Sequence, residues 1–529
     1  MLARRRSILA FSLLVPMAGE LLAQKSAPSR EPFAVFSVRS LDDLLSDIRL
    51  VTGSRDKSPV DQAIAGMTQG KGLAGIDGSK PFGAYFVGNP GEEPIPQAVV
   101  AIPVKDTKAL LGLLGHPSPE TAEVEGLFQI ATFGRHAFGK ISRGYCFLSE
   151  ERELVESIGG AAGLFSAKHD ISIVLHFSKI PQDLKDHFMS QMESSWAEAS
   201  SLPGLPAAYL QGHEAGRRYM RESMEKALRD ADKVELGITL DGATGAIVIE
   251  WEETARSGTE LASMFAAYGN AVPSFGGMFS NDAALSLACA VPIPAELRDV
   301  IAKGIASGVD QARGQIDGAV FLNTDSDRKS AHQTLDGFLK AFQGLDTIDL
   351  GLVIDPTPSG TARFAFACKV ASGRELASAI DRLVKVPGAV GEGELRLDVA
   401  RHGGARIHAL GLPAEVSRVF GKGPAHIAIR NDAVYLSVGE KSLEFAQQAL
   451  DKTANPGARR PPVSLRIRPS RVIDLFAKKG DVEALKMRQA FQGKGDSLVF
   501  EVLPVKNGLR GKMTFGEGFL NLLKSKALR

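Results

Sequence analysis

The sequence predicts an α+β fold: duplicated, mainly antiparallel sheets with one face covered by helices. Strict alternation is the first reason. Ile171, Ile173, Leu175 and Phe177 face one way against Ser172, His176 and Ser178, and Val234–Asp241 and Ile348–Asp355 repeat the pattern. A period of two buries one sheet face, the habit of antiparallel pairing. The second reason is recurrence at an offset of 113–115 residues. Ile180–Asp186 matches Ile293–Asp299, Val234–Asp241 matches Ile348–Asp355, and Ser257–Ser263 matches Ser372–Ser378. Three matches at one offset predict tandem modules of domain size. The third is punctuation. Asp241-Gly-Ala-Thr-Gly245 and Asp355-Pro-Thr-Pro-Ser-Gly360 have hairpin-turn chemistry.

Taken in order, Arg4, Arg5 and Arg6 precede an apolar run from Ser7 to Gly19, with Ala23 before a plausible cut. That is the pattern of an export signal over residues 1–23, by the general or the twin-arginine route. Residues 24–32, rich in Ser, Pro and charge, read as a flexible leader. An α+β module over 33–169 opens with strand Phe33–Val38 and helix Leu41–Ile48, and continues with strand Gln97–Ile102 and helix Thr107–Leu114. Repeat modules follow at 170–282 and 283–395, with amphipathic helices near 182–199, 214–231, 294–316 and 328–343. Ser-x-x-Glu boxes at Ser257/Glu260, Ser372/Glu375 and Ser437/Glu440 predict helix starts. A last α+β module, 396–529, carries strand Val463–Arg468, a helix from Val472, and the hairpin Ser497–Val505 with Gly508–Phe515. The phrases Tyr145–Ser149 and Val434–Ser437 each precede a helix, which suggests two equivalent halves, 33–282 and 283–529, joined at Gly269–Asn281.

Composition narrows the class. The 529 residues are 44% hydrophobic and 23% charged, with 62 Lys+Arg against 61 Asp+Glu and only 3 Cys. Disorder and a disulfide scaffold are excluded. Loss of residues 1–23 removes three Arg and one Glu and leaves 59 basic against 60 acidic residues, so no whole-chain field advertises nucleic acid. No later run approaches the roughly 18 apolar residues of a membrane span.

The signal, the opening Ser37-Val-Arg-Ser-Leu-Asp-Asp-Leu-Leu45, the phrase Gly75-Ile-Asp-Gly-Ser-Lys-Pro-Phe-Gly83 and the closing Asn507-Gly-Leu-Arg-Gly followed by Glu517-Gly carry a resemblance. In these the chain resembles a family of large exported proteins of planctomycete-type bacteria with no established activity. The resemblance spans most of the mature chain. It implies export and architecture, and supplies no chemistry.

Catalytic signatures fail one by one. Gly66–Gly72 has too few residues between its glycines for a P-loop, and a turn is expected there. No Gly-x-Ser-x-Gly occurs. Ser54/Lys57 and Ser223/Lys226 have Ser-x-x-Lys spacing without the motifs that accompany it in enzymes. His213-Glu214 lacks a second His, and Asn323–Asp327 lacks the Gly and Glu of a calcium loop and reads as a helix cap. Cys146, Cys289 and Cys368 lie in apolar strands, where burial is expected, with a Cys289–Cys368 disulfide open should their strands be neighbours.

One surface stands out. If the aliphatic positions of the later strands face inward, then Arg396, Arg406, His408, His426, Arg430, Arg466, Arg468, Arg510 and Lys512 face outward, against an acidic set of Glu235, Asp241, Glu250 and Glu252 in the earlier half. The cations Arg396, Arg406, Arg430, Arg466, Arg468, Arg510 and Lys512 are thus candidates for an anionic cell-envelope polymer, for self-association, or for docking the two halves. The function expected is that of an exported, periplasmic or cell-surface protein, non-catalytic, cofactor-free and metal-free, that binds or builds the envelope. Two alternatives stand beside it: a carrier of apolar, lipid-type molecules, and a hydrolase whose site is assembled from distant segments.

Overall fold

In the computed structural model the described residues run from 31 to 527, apart from 53–58, 69, 89–95, 115–125, 133–134, 159–162, 201–206, 389–394, 455–458, 477–481 and 492–494. The signal and most of the leader therefore lie outside the described residues, as do Ser54 and Lys57.

One order of elements occurs four times: strand, two helices, hairpin, helix. It begins with β1 (Ala34–Val38), α1 (Leu41–Thr52), α2 (Pro59–Met67), β2 (Phe82–Val87), β3 (Gln97–Pro103) and α3 (Thr107–Leu114), followed by β4 (Leu127–Thr132), β5 (Arg135–Ser142), β6 (Tyr145–Ser149) and α4 (Arg152–Glu156). The second pass is β7 (Ile171–His176), α5 (Gln182–Ser200), α6 (Ala207–Asp230), β8 (Ala231–Asp241), β9 (Ala246–Ala255) and α7 (Glu260–Asn270). The third is β10 (Leu285–Pro292), α8 (Ala295–Asp317), α9 (Asp325–Phe342), β11 (Thr347–Pro356), β12 (Ala362–Lys369) and α10 (Gly373–Leu383). It continues with β13 (Leu395–His402), β14 (Ala405–Leu410), α11 (Ala414–Phe420), β15 (Ala425–Ile429), β16 (Ala433–Val438) and α12 (Ser442–Ala454). The fourth is β17 (Val463–Ile467), α13 (Pro469–Phe476), α14 (Val482–Ala490), β18 (Leu498–Val505), β19 (Gly508–Phe515) and α15 (Glu517–Ala527). The three matched sequence phrases fall on like elements: the starts of α5 and α8, the strands β8 and β11, and the approaches to α7 and α10.

The chain divides into two compact units, residues 1–45 with 59–198 and residues 46–58 with 199–529. In the first, antiparallel pairing gives the order β7-β1-β2-β3-β6-β5-β4. Its core lies on the face of Val35, Tyr85, Val99, Ala101 and Phe147, sealed by Leu154 of α4 and by Phe165. The phrase at 75–83 is structural: Gly75 has φ +84°, and a Cβ there would strike the Leu110 backbone of α3.

In the second unit, antiparallel pairing runs β8-β9-β19-β18-β17-β10-β11-β12-β16-β15-β14-β13. Twelve strands exceed the usual size of an open twisted sheet, about 10. The terminal strand β13 carries a register shift between Arg396 and Ala400, with Asp398 at φ 52°. The sealed face of the β10–β16 strands is the one with small side chains: Ser286, Ala288, Val353, Ala365 and Ala367. Phe275, Met278 and the α12 residues Phe445, Ala449 and Leu450 pack onto it around Tyr435, which meets Phe275 edge-on at 5.8 Å.

The helix boundaries follow the expected periodicity closely, with two exceptions at caps. Ser372 does accept from Glu375 N–H at the start of α10, but α7 is capped by Thr259 rather than Ser257, and Ser437 lies buried inside β16. Thr324 and Asp327 form a reciprocal capping box at α9, the cap expected over 323–327. Among the described residues no helix is long and apolar enough to cross a membrane.

Replacing Gly351 by Ala would place a Cβ 2.6 Å from Phe275 Cβ. Overpacking of this kind costs roughly 1–3 kcal/mol, so Gly351→Ala should lower the urea midpoint without changing the slope of the transition.

A candidate apolar ligand face and the fate of the basic set

The large aliphatic side chains of the second unit share the face opposite its sealed core. Following the register, Ile238, Ile249, Met513, Phe500, Leu465, Leu287, Leu352, Phe366, Leu436 and Ile427 stand side by side across ten strands. None of them is fully buried; nine are half-buried and Ile238 is 38% exposed. The row ends at His408, opposite Ile427. A contiguous row of this length leaves on the order of several hundred Å² of apolar surface open, comparable with the largest patch of about 300–600 Å² on a typical monomer.

Helices flank this band and cover part of it, leaving most of its row half-buried. On one side Gly269 of α7 lies against Pro504, which shares the band's face two rows from Phe500. On the other side Phe420 of α11 meets Phe364 at 6.4 Å, and Phe519 of α15 meets Phe515 at 5.2 Å. At the far end Leu376 and Ile380 of α10, with Phe338 of α9, pack on Ile427, Ile429 and Val434. Trp251 also lies on the band's face, where its indole occupies the space over Gly511. The first unit repeats the asymmetry. There Ile173, Phe36, Ala84, Val100 and Leu148 form a row across five strands, and Ile173 and Val100 are each 40% exposed.

Few polar groups interrupt the band. Glu253, in the row beneath α7, has its carboxyl pushed up by burial, which favours the neutral acid. Cys289 and Cys368 stand on the same face, but each pairs with Leu350 of the strand between them, so no disulfide joins them. Burial raises all three thiols, Cys368 to about 11 and Cys146 to about 12, which favours the protonated thiol over the nucleophilic thiolate.

The basic set does not assemble into one surface. Arg406 lies on the band's face opposite Ile429, held by Asp381 and Asp398, whereas Arg466, Arg510 and Lys512 lie on the opposite face. Arg430 pairs with Asp432, and Arg468 with Asp282 and Asp496. Arg510 and Lys512 of β19 stand directly opposite Glu252 and Glu250 of β9, at 2.6 Å and 3.4 Å. Arg396 is exposed and Arg466 half-buried, and neither has an ion pair among the described residues. The cations are thus spread over both faces, and five of the seven are neutralised within the chain. The reason is topological: β9 and β19 are neighbours, which brings the acidic and basic sets together as a ladder.

His408 and His426 are core residues. His408 Nδ1 accepts from the Asp398 N–H, and His426 Nδ1 contacts Ser442 Oγ at 2.8 Å. Ser442 Oγ also lies 2.7 Å from the Pro424 carbonyl, an acceptor only, so a hydroxyl turned to that carbonyl takes the imidazole N–H as its donor. Both members of this Ser–His pair are buried, which argues against a hydrolytic role. Among the described residues no group of acidic, His or Cys side chains could hold a metal ion. Gly70 and Gly72 have positive φ in the expected turn, and Lys226 is engaged by Glu260 and Glu296.

Comparison with known proteins returns no match to any family model, curated protein or solved structure.

Two measurements follow. Lys512→Glu would set like charges opposite both Glu250 and Glu501; after allowance for screening at this half-exposed position it should cost about 0.5–1 kcal/mol. Adding Glu250→Lys should recover part of that loss. Burial holds the His408 and His426 imidazoles below their usual pKa, with Arg406 adding to the effect at His408. The unfolded chain, with an ordinary His pKa of about 6.5, therefore takes up protons first. Stability should be full above that value and fall as pH drops below it, and His408→Gln should flatten the slope of urea midpoint against pH between 7.5 and 5.5.

Proposed function

We propose that the protein is an exported, non-catalytic binding protein whose open sheet face carries apolar, lipid-type molecules. The observation that supports this reading is the ten-residue apolar band, left half-open while the small-residue face of the same strands is sealed. A folded chain in water gains roughly 25 cal/mol for each Å² of apolar surface it buries. A long aliphatic row left uncovered therefore has a standing affinity for hydrocarbon. Bordering helices on both sides make the band a lane suited to a chain-like ligand. The reading refines the expected binding role and favours the carrier over the hydrolase, since the Ser442–His426 contact seen among the described residues is buried away from any substrate. Export rests on the basic and apolar leader of residues 1–23. The fourfold order of elements, with sequence phrases matched at one offset, supports origin by duplication.

Trp251 supplies the readout. Brominated fatty acid should quench its fluorescence saturably, and Leu287→Asn or Leu352→Asn should weaken binding about tenfold or more, since each removes roughly 1.5–3 kcal/mol of apolar contact. Melting curves of the variants control for folding. Absence of quenching in the parent protein, or variants that bind as well as the parent, would remove the proposal.

A further inference from the structure

A polar cavity of about 380 Å³ opens where β17 ends, between α13, α14 and the segment before β18, lined by Arg468, Ser470, Arg488, Gln489, Phe491 and Asp496. Its acid is already satisfied. Asp496, 5% exposed, accepts from the Ser470 backbone N–H at 2.9 Å and from the Ser470 hydroxyl, and Arg468 Nε approaches it at 3.4 Å. Arg468 places Nη1 on Asp282 at 3.1 Å, and Arg488 places Nε on Asp474 at 3.3 Å. A guanidinium has five N–H donors in a fixed fork. Each arginine is therefore anchored by carboxylates through part of its fork, while among the described residues donors remain on both of them and on the Gln489 amide. The two guanidiniums are already ion-paired with Asp282, Asp496 and Asp474, so what the cavity offers an anion with several acceptor oxygens is fixed N–H donors rather than surplus positive charge.

Packed aromatic rings run from the cavity wall to the border of the band. Phe491 on that wall meets Phe519 edge-on at 5.0 Å, and Phe519 meets Phe515 at 5.2 Å. Phe515 stands at the border of the band in register with Leu498, which pairs in turn with Ile467. Leu485, 53% exposed, lies at the cavity mouth. Polar donors at one end of an aromatic bridge and an aliphatic lane at the other match the two halves of one molecule.

We infer that the cavity receives the anionic head group, carboxylate or phosphate, of an amphiphile whose hydrocarbon chain lies on the band. The inference rests on the apolar-ligand reading, so its test separates the two. Oleate, oleyl alcohol, dodecyl phosphate and inorganic phosphate are titrated against Trp251 fluorescence and by calorimetry, with the parent protein, Arg488→Gln and Arg488→Lys. Oleate and dodecyl phosphate should bind about tenfold more tightly than oleyl alcohol. Arg488→Gln should bring the anionic amphiphiles down to the alcohol's affinity without changing the alcohol's own, and Arg488→Lys should keep part of the difference. Equal affinity for oleate and the alcohol, unchanged in Arg488→Gln, overturns the head-group assignment and leaves the apolar reading standing. Inorganic phosphate binding as tightly as dodecyl phosphate identifies a free-anion site, and overturns it too. Failure of every amphiphile to bind removes both.

Discussion

The pairing of β9 with β19 is the contact on which the second unit depends. Arg510 and Glu252, 258 positions apart in the chain, are brought face to face by it. Without that ladder both strands would present a row of unsatisfied backbone donors and acceptors, an edge that invites other chains. With it, hairpins from distant stretches become one twelve-stranded sheet. The backbone hydrogen bonds supply the cohesion, and the charge ladder fixes the register, because a slip of one residue would turn every Glu, Arg and Lys to the wrong face.

The sheet solves its packing problem in an unexpected way. Close approach of a covering segment needs small side chains beneath it, and Ser286, Ala288, Gly351, Ala365 and Ala367 provide them, so Phe275, Met278 and α12 come down onto that face and seal it. On the other face helices dock on Pro504, Phe364, Phe515 and Ile427, and the row of large side chains between them stays half-buried. The feature that makes the protein a candidate carrier thus arises from side-chain size, distributed by alternation to the two faces of the same strands.

Alternation and capping chemistry made most elements legible in the sequence. The strands at 234–241 and 348–355, the long helices, and the Asp241–Gly245 turn with its Asx hydrogen bonds lie where local rules put them, whereas the strand expected over 171–178 ends at His176 and Phe177–Lys179 form a 3-10 turn. Facing was harder. Aliphatic alternation marks which residues share a face, but whether helices reach that face depends on partners hundreds of residues away. Leu287 and Ala288 compete for the core on equal terms until Phe275 is placed. The basic set divides between the two faces for the same reason, and docking of the two halves, one of its expected uses, is met at Arg510 and Lys512, whose ion pairs are long-range. The head-group cavity left no local signal, being built from the end of one strand, one turn of α14 and the approach to β18; a hint lay only in Arg468-Pro-Ser470, where a cation and a hydroxyl flank a helix-starting proline.

The shifted register of β13 has a bearing on how the protein behaves at high concentration. A sheet of this span is a template for growth at both of its margins, β8 and β13, unless they are blunted, and the β13 margin is. At that margin a bulge kinks the strand, Asp398 adopts a left-handed backbone, and Arg396 and Arg401 project charge. An incoming strand would find neither a straight row of amides nor a neutral surface. At its β13 end the sheet is therefore guarded against edge-to-edge growth by backbone shape and charge together.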